Sequence, residues 1–396
     1  MKILFTAENY YPKMSGVPVV VRYLAEGLSE RGHQVHVVTR WGVGCEEVSI
    51  LNGVLIHRFH IFANYLKKPC GEIEKYISFI KNGNFDAVIF ECSQCVTTDA
   101  MLSELMYLNN AKIFHSHGFS GLLLKPFKFS KSIRSIVANT ANYILWRKYY
   151  SSKFKKHVSY FDITMCLSEV DSSIDYLSRY AKSFPVVLLN AAQDMFFEKN
   201  IKKGNLTKYV NLISEKYYIS VANYNEYKNQ LGILKEFYKT TIKDRAMVFV
   251  GSTKTSYFKT LLKEKEKLDK KYGAHEIVFL CGVQREDIPG IISDAELYLV
   301  GSTFEEFSIS LIEAMALGIP FVSTNVGNAR LLPGGMTINS IGELHNVILE
   351  LENDYIKYSS FSQRGKEFAN IYCRISNIVD RLEILISQVV SLRKGV

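Results

Sequence analysis

Residues 1–40 read MKILFTAENYYPKMSGVPVVVRYLAEGLSERGHQVHVVTR, and this stretch decides the fold. Its first apolar run, Lys2 to Glu8, predicts a short buried strand, and a loop containing Gly16 follows. Apolar residues spaced along one face predict a helix over 19–31, Gly32 ends it, and residues 34–39 predict the next strand. A strand, a glycine loop, a helix and a strand form a βαβ unit, which implies a parallel sheet.

The same alternation continues along the chain. Further strands of the first half are predicted at 87–90, 112–115, 163–166 and 186–189. After a Lys-rich stretch (198–208), strands are predicted at 218–222, 247–250, 277–280, 297–300 and 321–323, with helices at 229–239, 257–271 and 309–317. We therefore expect an α/β protein with two Rossmann-like halves joined near residue 195 and a helical tail from about residue 359 that packs back across the first half. Ligands of such sheets bind beyond the carboxyl ends of the strands, here facing a cleft between the halves.

Composition and charge narrow the class of partner. The 396 residues carry a formal net charge of +9. Residues 1–192 hold 22 Lys and Arg against 15 Asp and Glu, a net of +7, so an anionic partner should meet the first half. The seven cysteines have no framework spacing and indicate reduced thiols in a cytoplasm. No export signal or spanning segment is visible, so we expect a cytoplasmic protein or one attached peripherally to the inner face of the cell membrane.

The segment 301–320, GSTFEEFSISLIEAMALGIP, carries the candidate site. A strand ends near Val300, and Ser308 is placed to N-cap a helix that runs to Gly318. Free amides and the positive end of that helix suit a diphosphate. Glu313, one turn inside, could accept hydrogen bonds from a ribose, and Glu305 precedes the helix. Taken alone, two glutamates at this spacing are commonplace and are more often solvated surface carboxylates.

At this segment the chain resembles a known family. Two glutamates separated by seven residues and followed by Ala-Met-Ala-x-Gly-x-Pro are similar to the signature of retaining glycosyltransferase family 4, which has the GT-B fold. The resemblance extends over nearly the whole chain, through Tyr11–Val35, Phe114–Gly118, Ser168–Glu169 and Val187–Asn190. It implies a GT-B protein in which residues 1–193 bind the acceptor, residues 194–374 bind the nucleotide-sugar donor, and a C-terminal helix over 375–396 returns to the first domain.

The resemblance also implies individual roles. Glu313 would bind the donor ribose, Glu305 would lie by the sugar ring, and Lys228 would meet the leaving diphosphate. His117 would lie near the reaction centre, and Gly16 would let the backbone approach the diphosphate, although an ordinary turn glycine is the alternative. The catalytic set implied is Glu305, His117 and Lys228, and the donor-binding set is Gly16, Asn223, Lys228, Phe307, Ser308, Ile309, Ser310 and Glu313.

The charge of Lys228 bears on the need for a metal. A cation can stabilise the leaving diphosphate by itself, and the sequence contains no Asp-x-Asp pair, so we expect a metal-independent enzyme without a cofactor. The chain departs from the family pattern at Asn223, where arginine is usual, and at Glu306 and Ser308, where glycine is usual. The acidic residue that usually follows is absent from Gly327–Leu331.

A basic, aromatic-rich segment marks the acceptor side. Residues 119–161 contain nine Lys and Arg and no Asp or Glu, with aromatic residues interleaved. This pattern suits an anionic membrane surface, and a solvated basic face over a core helix is the alternative. The residues expected to form this face are Lys125, Lys128, Trp146, Arg147 and Lys148. A nucleic-acid partner is disfavoured because no recognition motif accompanies the charge.

These features predict transfer of a hexose, with retention, from a nucleotide diphosphate sugar to a glycan or polyprenyl-linked glycan acceptor. A UDP-sugar is the first choice of donor and GDP-mannose the second, and the expected setting is synthesis of a surface polysaccharide such as capsule or lipopolysaccharide. Two alternatives remain open, a non-catalytic donor-binding subunit of a glycosyltransferase complex and a nucleotide-sugar epimerase. A dehydrogenase is disfavoured because the first glycine loop lacks the G-x-G-x-x-G spacing.

Overall fold

The chain forms two compact units in a computed structural model, which describes residues 1–13, 16–119, 133–201, 204–214, 216–240, 242 and 244–395. Unit 1 comprises Met1–Leu189 and Ile375–Val396, and unit 2 comprises Asn190–Arg374. The seven cysteines all lie in the described part, and each is unpaired.

Unit 1 is built on an eight-stranded sheet with the order β10-β9-β8-β7-β1-β2-β4-β3. Neighbouring strands are parallel except β3 and β4, which form an antiparallel hairpin. A separate antiparallel pair is formed by β5 and β6. The strands are β1 Lys2–Thr6, β2 Gln34–Arg40, β3 Val48–Leu51, β4 Val54–Phe59, β5 Ile61–Ala63, β6 Pro69–Gly71, β7 Ala87–Glu91, β8 Ala111–His115, β9 Ile163–Cys166 and β10 Val186–Val187.

Helices cover this sheet. They are α1 Val17–Glu30, α2 Ile73–Asn82, α3 Val96–Met101, α4 Ile133–Lys148 and α5 Ile174–Tyr180. A π-helical segment, Tyr149–Phe154, and a helical turn, Lys155–His157, continue α4 toward β9. The central strands β1 and β7 are buried almost throughout, as parallel strands covered on both faces are.

The last helix belongs to unit 1 although it lies at the end of the chain. Packing of this helix, Ile375–Lys394, against α1 requires the small residue Gly27, since a Cβ there would lie 2.7 Å from a methyl carbon of Val379. His33 Nε2 lies 2.7 Å from Glu383 Oε1, and Arg393 Nε donates to Asp162 Oδ2 at 2.8 Å. These contacts tie the C-terminal helix to the same body as the first strand.

Unit 2 has a six-stranded parallel sheet with the order β13-β12-β11-β14-β15-β16. The strands are β11 Lys216–Val221, β12 Arg245–Gly251, β13 Ile277–Cys281, β14 Leu297–Val300, β15 Phe321–Thr324 and β16 Gly335–Ile338. Numbered from its own first strand the order is 3-2-1-4-5-6, in which the chain reverses direction across the sheet between β11 and β14. Loops that leave adjacent strands on opposite faces open a crevice at this switch point.

Seven helices follow in chain order, six in unit 2 and the C-terminal helix in unit 1. They are α6 Gln230–Phe237, α7 Ser256–Tyr272, α8 Ile288–Ser293, α9 Ile309–Ala316, α10 Leu344–Asn353, α11 Tyr355–Tyr372 and α12 Ile375–Lys394. Short 3-10 turns are formed by Leu105–Tyr107, Val158–Tyr160, Asp194–Phe196, Asn205–Lys208, Arg285–Asp287, Ala329–Leu331 and Ile341–Glu343. No helix among the described residues is long and apolar enough to cross a membrane.

The α/β architecture expected from the sequence is confirmed, and the differences lie in detail. The β3–β4 hairpin was not predicted, although its Asn52-Gly53 turn, with φ values of 48° and 79°, is a strong hairpin signal. The predicted helical tail is two helices. The first, α11, packs on α9 within unit 2, and only α12 packs on α1.

Candidate functional site

The switch point of the unit 2 sheet brings two of the predicted site residues, Lys228 and Glu305, together. The loop after β11 carries Lys228, and the loop after β14 carries Glu305. Thr303 N donates to Tyr227 O at 2.8 Å, and Asn229 Nδ2 donates to Gly301 O at 3.1 Å. Strand order alone therefore joins two segments that are more than seventy positions apart in the sequence.

Lys228 and Glu305 form a direct ion pair. Lys228 Nζ lies 2.5 Å from Glu305 Oε1, which also accepts from Ser302 Oγ at 2.7 Å. The Glu305 side chain is 13% exposed and the Lys228 side chain is 31% exposed. The carboxylate is thus held from two sides, while the ammonium keeps an open face on which it can meet an anion.

The start of α9 lies beside this pair. Ser308 occupies the N-cap position, but its side chain makes no capping hydrogen bond with the helix, which differs from the expectation for this residue. Its Oγ lies 3.2 Å from Ser310 Oγ, and its own N–H donates to Asn328 Oδ1 at 3.0 Å. Phe307 is buried, and Ile309 begins the helix. The first amides within α9 have no partner inside the helix, so they remain the groups suited to an anion.

A glycine outside the predicted set shapes this loop. Gly327 has φ of +53°, and a Cβ there would lie 2.8 Å from Glu305 O and 2.9 Å from Glu306 O. Any larger residue would press on the backbone that carries Glu305. The turn after β15 therefore supports the loop after β14.

Glu313 is buried in α9 and is paired with Arg285. Arg285 Nη2 donates to Glu313 Oε1, and Arg285 Nε donates to Gln193 Oε1 at 2.9 Å. Burial raises the pKa of Glu313, and the neighbouring guanidinium acts in the opposite direction. Arg285 was missed by the sequence analysis because it follows β13, in a segment without a motif. Its guanidinium also lies 4.9 Å from the centre of the Phe196 ring.

Asn223 follows β11 and takes part in a small polar network. Its Oδ1 accepts from Ser252 Oγ at 2.7 Å, and its carbonyl accepts from Gln230 Nε2 at 3.0 Å. The residue is exposed. An amide here supplies hydrogen-bonding capacity but no charge, so Lys228 is the cation of this loop.

In unit 1, the predicted His117 lies in a cluster at the ends of β7 and β8. Glu91 and His115 are the last residues of these adjacent strands and are paired in register. His117 Nε2 lies 2.6 Å from Glu91 Oε2, and His115 Nδ1 lies 3.1 Å from the same oxygen. Glu91 and His115 are each 1% exposed. His117 has φ of 51°, and this left-handed backbone turns its ring back toward Glu91.

The electrostatics of this cluster favour an ionised Glu91 and a neutral His117. Burial by itself raises the pKa of Glu91, but His115 and His117 lower that pKa to about 2. Burial lowers the pKa of His117 below its usual value, His115 lowers it further, and Glu91 opposes both effects. Sequence reasoning identified His117 but missed Glu91, because a glutamate that ends a buried strand has no motif of its own.

The same three side chains have the composition of a metal site. Glu91, His115 and His117 each offer one ligand atom, and these atoms lie within 4.8 Å of one another. Two ligands on one tetrahedral zinc would lie about 3.3 Å apart at bond lengths near 2.0 Å. The separation of 2.6 Å between Glu91 and His117 is instead that of a charge-assisted hydrogen bond. The Glu91–His117 contact is therefore arranged as a hydrogen bond.

Gly16 immediately precedes α1 with φ of 66° and ψ of −128°, a conformation that is essentially restricted to glycine. A Cβ built at this position would meet no atom within 4 Å. The backbone conformation, and not crowding within unit 1, is thus what requires glycine here.

The basic face is described only in part, since Lys125 and Lys128 lie outside the described residues. Trp146 is half-buried against the unit 1 core, with the Lys67 ammonium 5.4 Å from its ring. Arg147 stacks over Tyr143 at 5.4 Å, and Lys148 is exposed. A cavity of about 630 Å³ adjoins these residues, lined by Ile144, Arg147, Lys148, Tyr150, Ser151, Lys155, Asp175, Tyr176, Arg179 and Tyr180.

Comparison with known proteins finds a glycosyltransferase family model that matches each part of the chain. Residues 208–368 match the family model for glycosyl transferases group 1, and residues 14–162 match that for glycosyltransferase family 4. The chain is 22% identical over 389 residues to N-acetyl-alpha-D-glucosaminyl L-malate synthase from Bacillus anthracis, covering 95% of this chain and 94% of that protein.

Solved structures share the fold at low identity. Sucrose-phosphate synthase from Thermosynechococcus elongatus has a TM-score of 0.74 at 15% identity, covering 99% of both chains. HepE from Anabaena, solved in complex with UDP, has a TM-score of 0.71 at 16% identity, covering 98% of this chain and 100% of that one. One mostly parallel sheet, one fully parallel sheet, the returning C-terminal helix and the two family matches lead to one conclusion: this chain belongs to glycosyltransferase family 4 and has the GT-B fold.

Proposed function

We propose that this protein transfers a hexose from a nucleotide diphosphate sugar to a sugar or lipid-linked sugar acceptor, with retention at the anomeric carbon. The observation that carries the proposal is the Lys228–Glu305 pair at the switch point of the unit 2 sheet, next to the amino end of α9. Cations and free helix amides bind diphosphates, and a switch point is where open α/β sheets bind their ligands.

The proposed donor is a UDP-sugar first and GDP-mannose second. The solved neighbour HepE carries UDP, and the relative from Bacillus anthracis is named for an N-acetyl-alpha-D-glucosaminyl product. In this proposal Glu313 takes the ribose hydroxyls, because a buried carboxylate gains two hydrogen bonds from a vicinal diol. Arg285, whose side chain is 43% exposed, would then exchange its contact with Glu313 for the ligand.

Lys228 has the central chemical role. Cleavage of the glycosyl–phosphate bond leaves the electron pair on a diphosphate oxygen, and the ammonium of Lys228 stabilises that developing charge. The acceptor hydroxyl attacks the anomeric carbon from the same face and passes its proton to the leaving phosphate. Since a lysine supplies the positive charge, we propose that transfer requires no divalent metal ion.

We propose that the acceptor carries an anionic group and is bound by unit 1. The cavity beside α4 and α5 is lined by four cations against one acid, with three tyrosines among them. A phosphate on a polyprenyl-linked glycan at the inner membrane face matches that charge and those rings. We therefore propose that the reaction belongs to assembly of a surface polysaccharide and that the protein is attached peripherally to the membrane.

A non-catalytic donor-binding subunit is the second candidate. Asn223 stands where the family usually has arginine, and the neutral amide leaves Lys228 as the single cation of its loop. Such a subunit would bind a donor without transferring its sugar.

Two measurements on the purified full chain test the proposal. Thermal-shift screening against UDP- and GDP-sugars should single out a UDP-sugar, since a ligand at one hundred times its Kd stabilises the folded state by about 2.7 kcal/mol. A transfer assay with that donor and membrane extract, run with and without EDTA, should yield product in both. Donor binding without any turnover would favour the non-catalytic donor-binding subunit. Loss of product with EDTA would contradict the proposal that transfer requires no divalent metal ion.

A further inference from the structure

The carboxylate that holds His117 has no part in the proposed reaction and is sealed inside unit 1. Glu91 ends β7 and is 1% exposed, and its Oε2 lies 2.6 Å from His117 Nε2. A buried charge is costly unless it is hydrogen-bonded, so its position beside His117 calls for a physical account.

The protonation of the ring follows from this contact. An ionised carboxylate has no hydrogen to donate, so the bond at 2.6 Å requires the hydrogen to lie on His117 Nε2. Burial disfavours a second proton on the ring. Nδ1 therefore keeps a lone pair, and among the described residues it has no hydrogen-bond partner.

We infer that Glu91 is a positioning residue, which holds His117 as the neutral Nε2–H tautomer so that Nδ1 accepts a hydrogen from a sugar hydroxyl. The identity of the sugar rests on the proposed function, whereas the tautomer does not. The inference excludes phosphate as the partner of Nδ1, because phosphate oxygens and a ring lone pair are both acceptors at neutral pH.

Among the described residues, Glu91 is the one carboxylate positioned to accept a hydrogen bond from the His117 ring. Asp171 also faces the ring, but its oxygens accept from the backbone N–H groups of Leu167 and Ser173 at 3.0 and 2.8 Å. The ring of His115 lies 4.1 Å from that of His117, measured between centroids. Its Nδ1 lies 3.1 Å from Glu91 Oε2 but outside hydrogen-bonding geometry, so the contact of His115 with Glu91 is electrostatic. His115 thus closes off one side of the ring without competing for its proton.

The backbone on both sides of His117 is hydrogen-bonded. Ser116 N donates to Met165 O at 2.9 Å, and Gly118 N donates to Ser116 Oγ at 3.1 Å. The turn that carries His117, with φ of 51°, lies between these two hydrogen bonds.

The tautomer can be measured on the full chain without any substrate. Histidine labelled with ¹⁵N distinguishes protonated from unprotonated ring nitrogens, and His117→Asn identifies the signals of His117. We expect a protonated Nε2 and an unprotonated Nδ1 at pH 7 in the native protein. A ring protonated at Nδ1, or at both nitrogens, would overturn the inference.

Glu91→Gln supplies the second test. The amide can donate as well as accept, so it should allow a mixture of tautomers, lower kcat at least tenfold with the best donor, and leave the Kd for the free nucleotide diphosphate within twofold. Asp99→Asn is the matched control, because Asp99 is another buried acid of unit 1, accepts from Tyr149 Oη at 2.5 Å, and has no contact with His117.

The outcomes separate this inference from the proposed function. Unchanged ring signals and kcat in Glu91→Gln, in an active background, contradict the positioning role. Absence of transfer by the native protein with every donor removes the proposed function, while the measured tautomer still decides whether Glu91 sets the ring.

Discussion

The two units hold their carboxylates in opposite ways. In unit 1, Glu91 is enclosed by two histidines that are themselves buried, so its charge stays inside the fold. In unit 2, Glu305 and Glu313 pair with Lys228 and Arg285, whose side chains remain 31% and 43% exposed. A partly exposed cation can change partners at little desolvation cost, whereas a partner that is itself buried cannot. The comparison indicates that the ion pairs of unit 2 can change partners, whereas the contacts of Glu91 in unit 1 are fixed.

The largest expected effect comes from removing the exchangeable cation of unit 2. Lys228→Ala should lower kcat about 100- to 1,000-fold, because the charge that forms on the leaving diphosphate loses its stabilising partner. Lys235→Ala is the matched control, since Lys235 pairs with Glu264 at 3.1 Å on the neighbouring helix α6. Initial rates with the best donor measure both variants, and a Lys228→Ala rate within threefold of the native rate would remove this lysine from the reaction.

A pH test probes the fixed geometry of unit 1. His36 is 7% exposed and stacks on His57, and burial, with smaller effects of His57 and Lys2, lowers its pKa to about 4. Because the folded state resists protonation, the free energy of unfolding should fall by up to about 3 kcal/mol as the pH drops from 6.5 to 4.

His36→Gln isolates this effect. Burial raises the pKa of Asp99 to about 6. The folded state therefore binds this proton more tightly than the unfolded state, and the free energy of unfolding rises as the pH falls over nearly the same range, opposite to the effect of His36. The measurement is therefore the difference between the native and variant urea-unfolding curves at pH 4.5, 5.5 and 7. The native protein should lose stability relative to the variant as the pH falls, and parallel curves would show that His36 titrates normally.

The smallest expected effect concerns the second ion pair of unit 2. Glu313→Ala should weaken binding of the best nucleotide-sugar donor about tenfold, since hydrogen bonds to a charged group contribute about 1.5–3 kcal/mol. Glu236→Ala is the control. Glu236 is a buried glutamate of α6 outside the proposed site, and its Oε1 lies 2.6 Å from Lys239 Nζ. The ligand-induced shift in Tm compares them, and a full shift in Glu313→Ala would contradict the ribose assignment.

Much of the local structure could be predicted from particular residues. The helix from Gln230 to Phe237 and that from Ile309 to Ala316 lie within two residues of their expected bounds, because apolar periodicity and end signals act locally. Ser308 shows the limit of such signals. Its position at the start of α9 was predicted, but its side chain turns to Ser310, which no local pattern specifies.

The roles of Glu91 and Arg285 could not be predicted. Each is distant in sequence from its partner, and each contact depends on which strands are neighbours in a sheet. Glu91 meets His117 because β7 pairs with β8, and Arg285 meets Glu313 across the carboxyl ends of the unit 2 strands. Neither residue has a motif, so neither could be identified without the fold.

The sequence by itself determined that this protein alternates strands and helices, and that Lys228, Glu305 and Glu313 follow strand ends in a family pattern. These are properties of neighbours along the chain, where spacing and backbone preference act directly. Only the tertiary structure decided that Lys228 is paired with Glu305, that Arg285 is paired with Glu313, and that Glu91 holds His117. Strand order determines which loops meet, and burial determines which charges need a partner. Neither strand order nor burial can be derived from residue spacing along the chain alone.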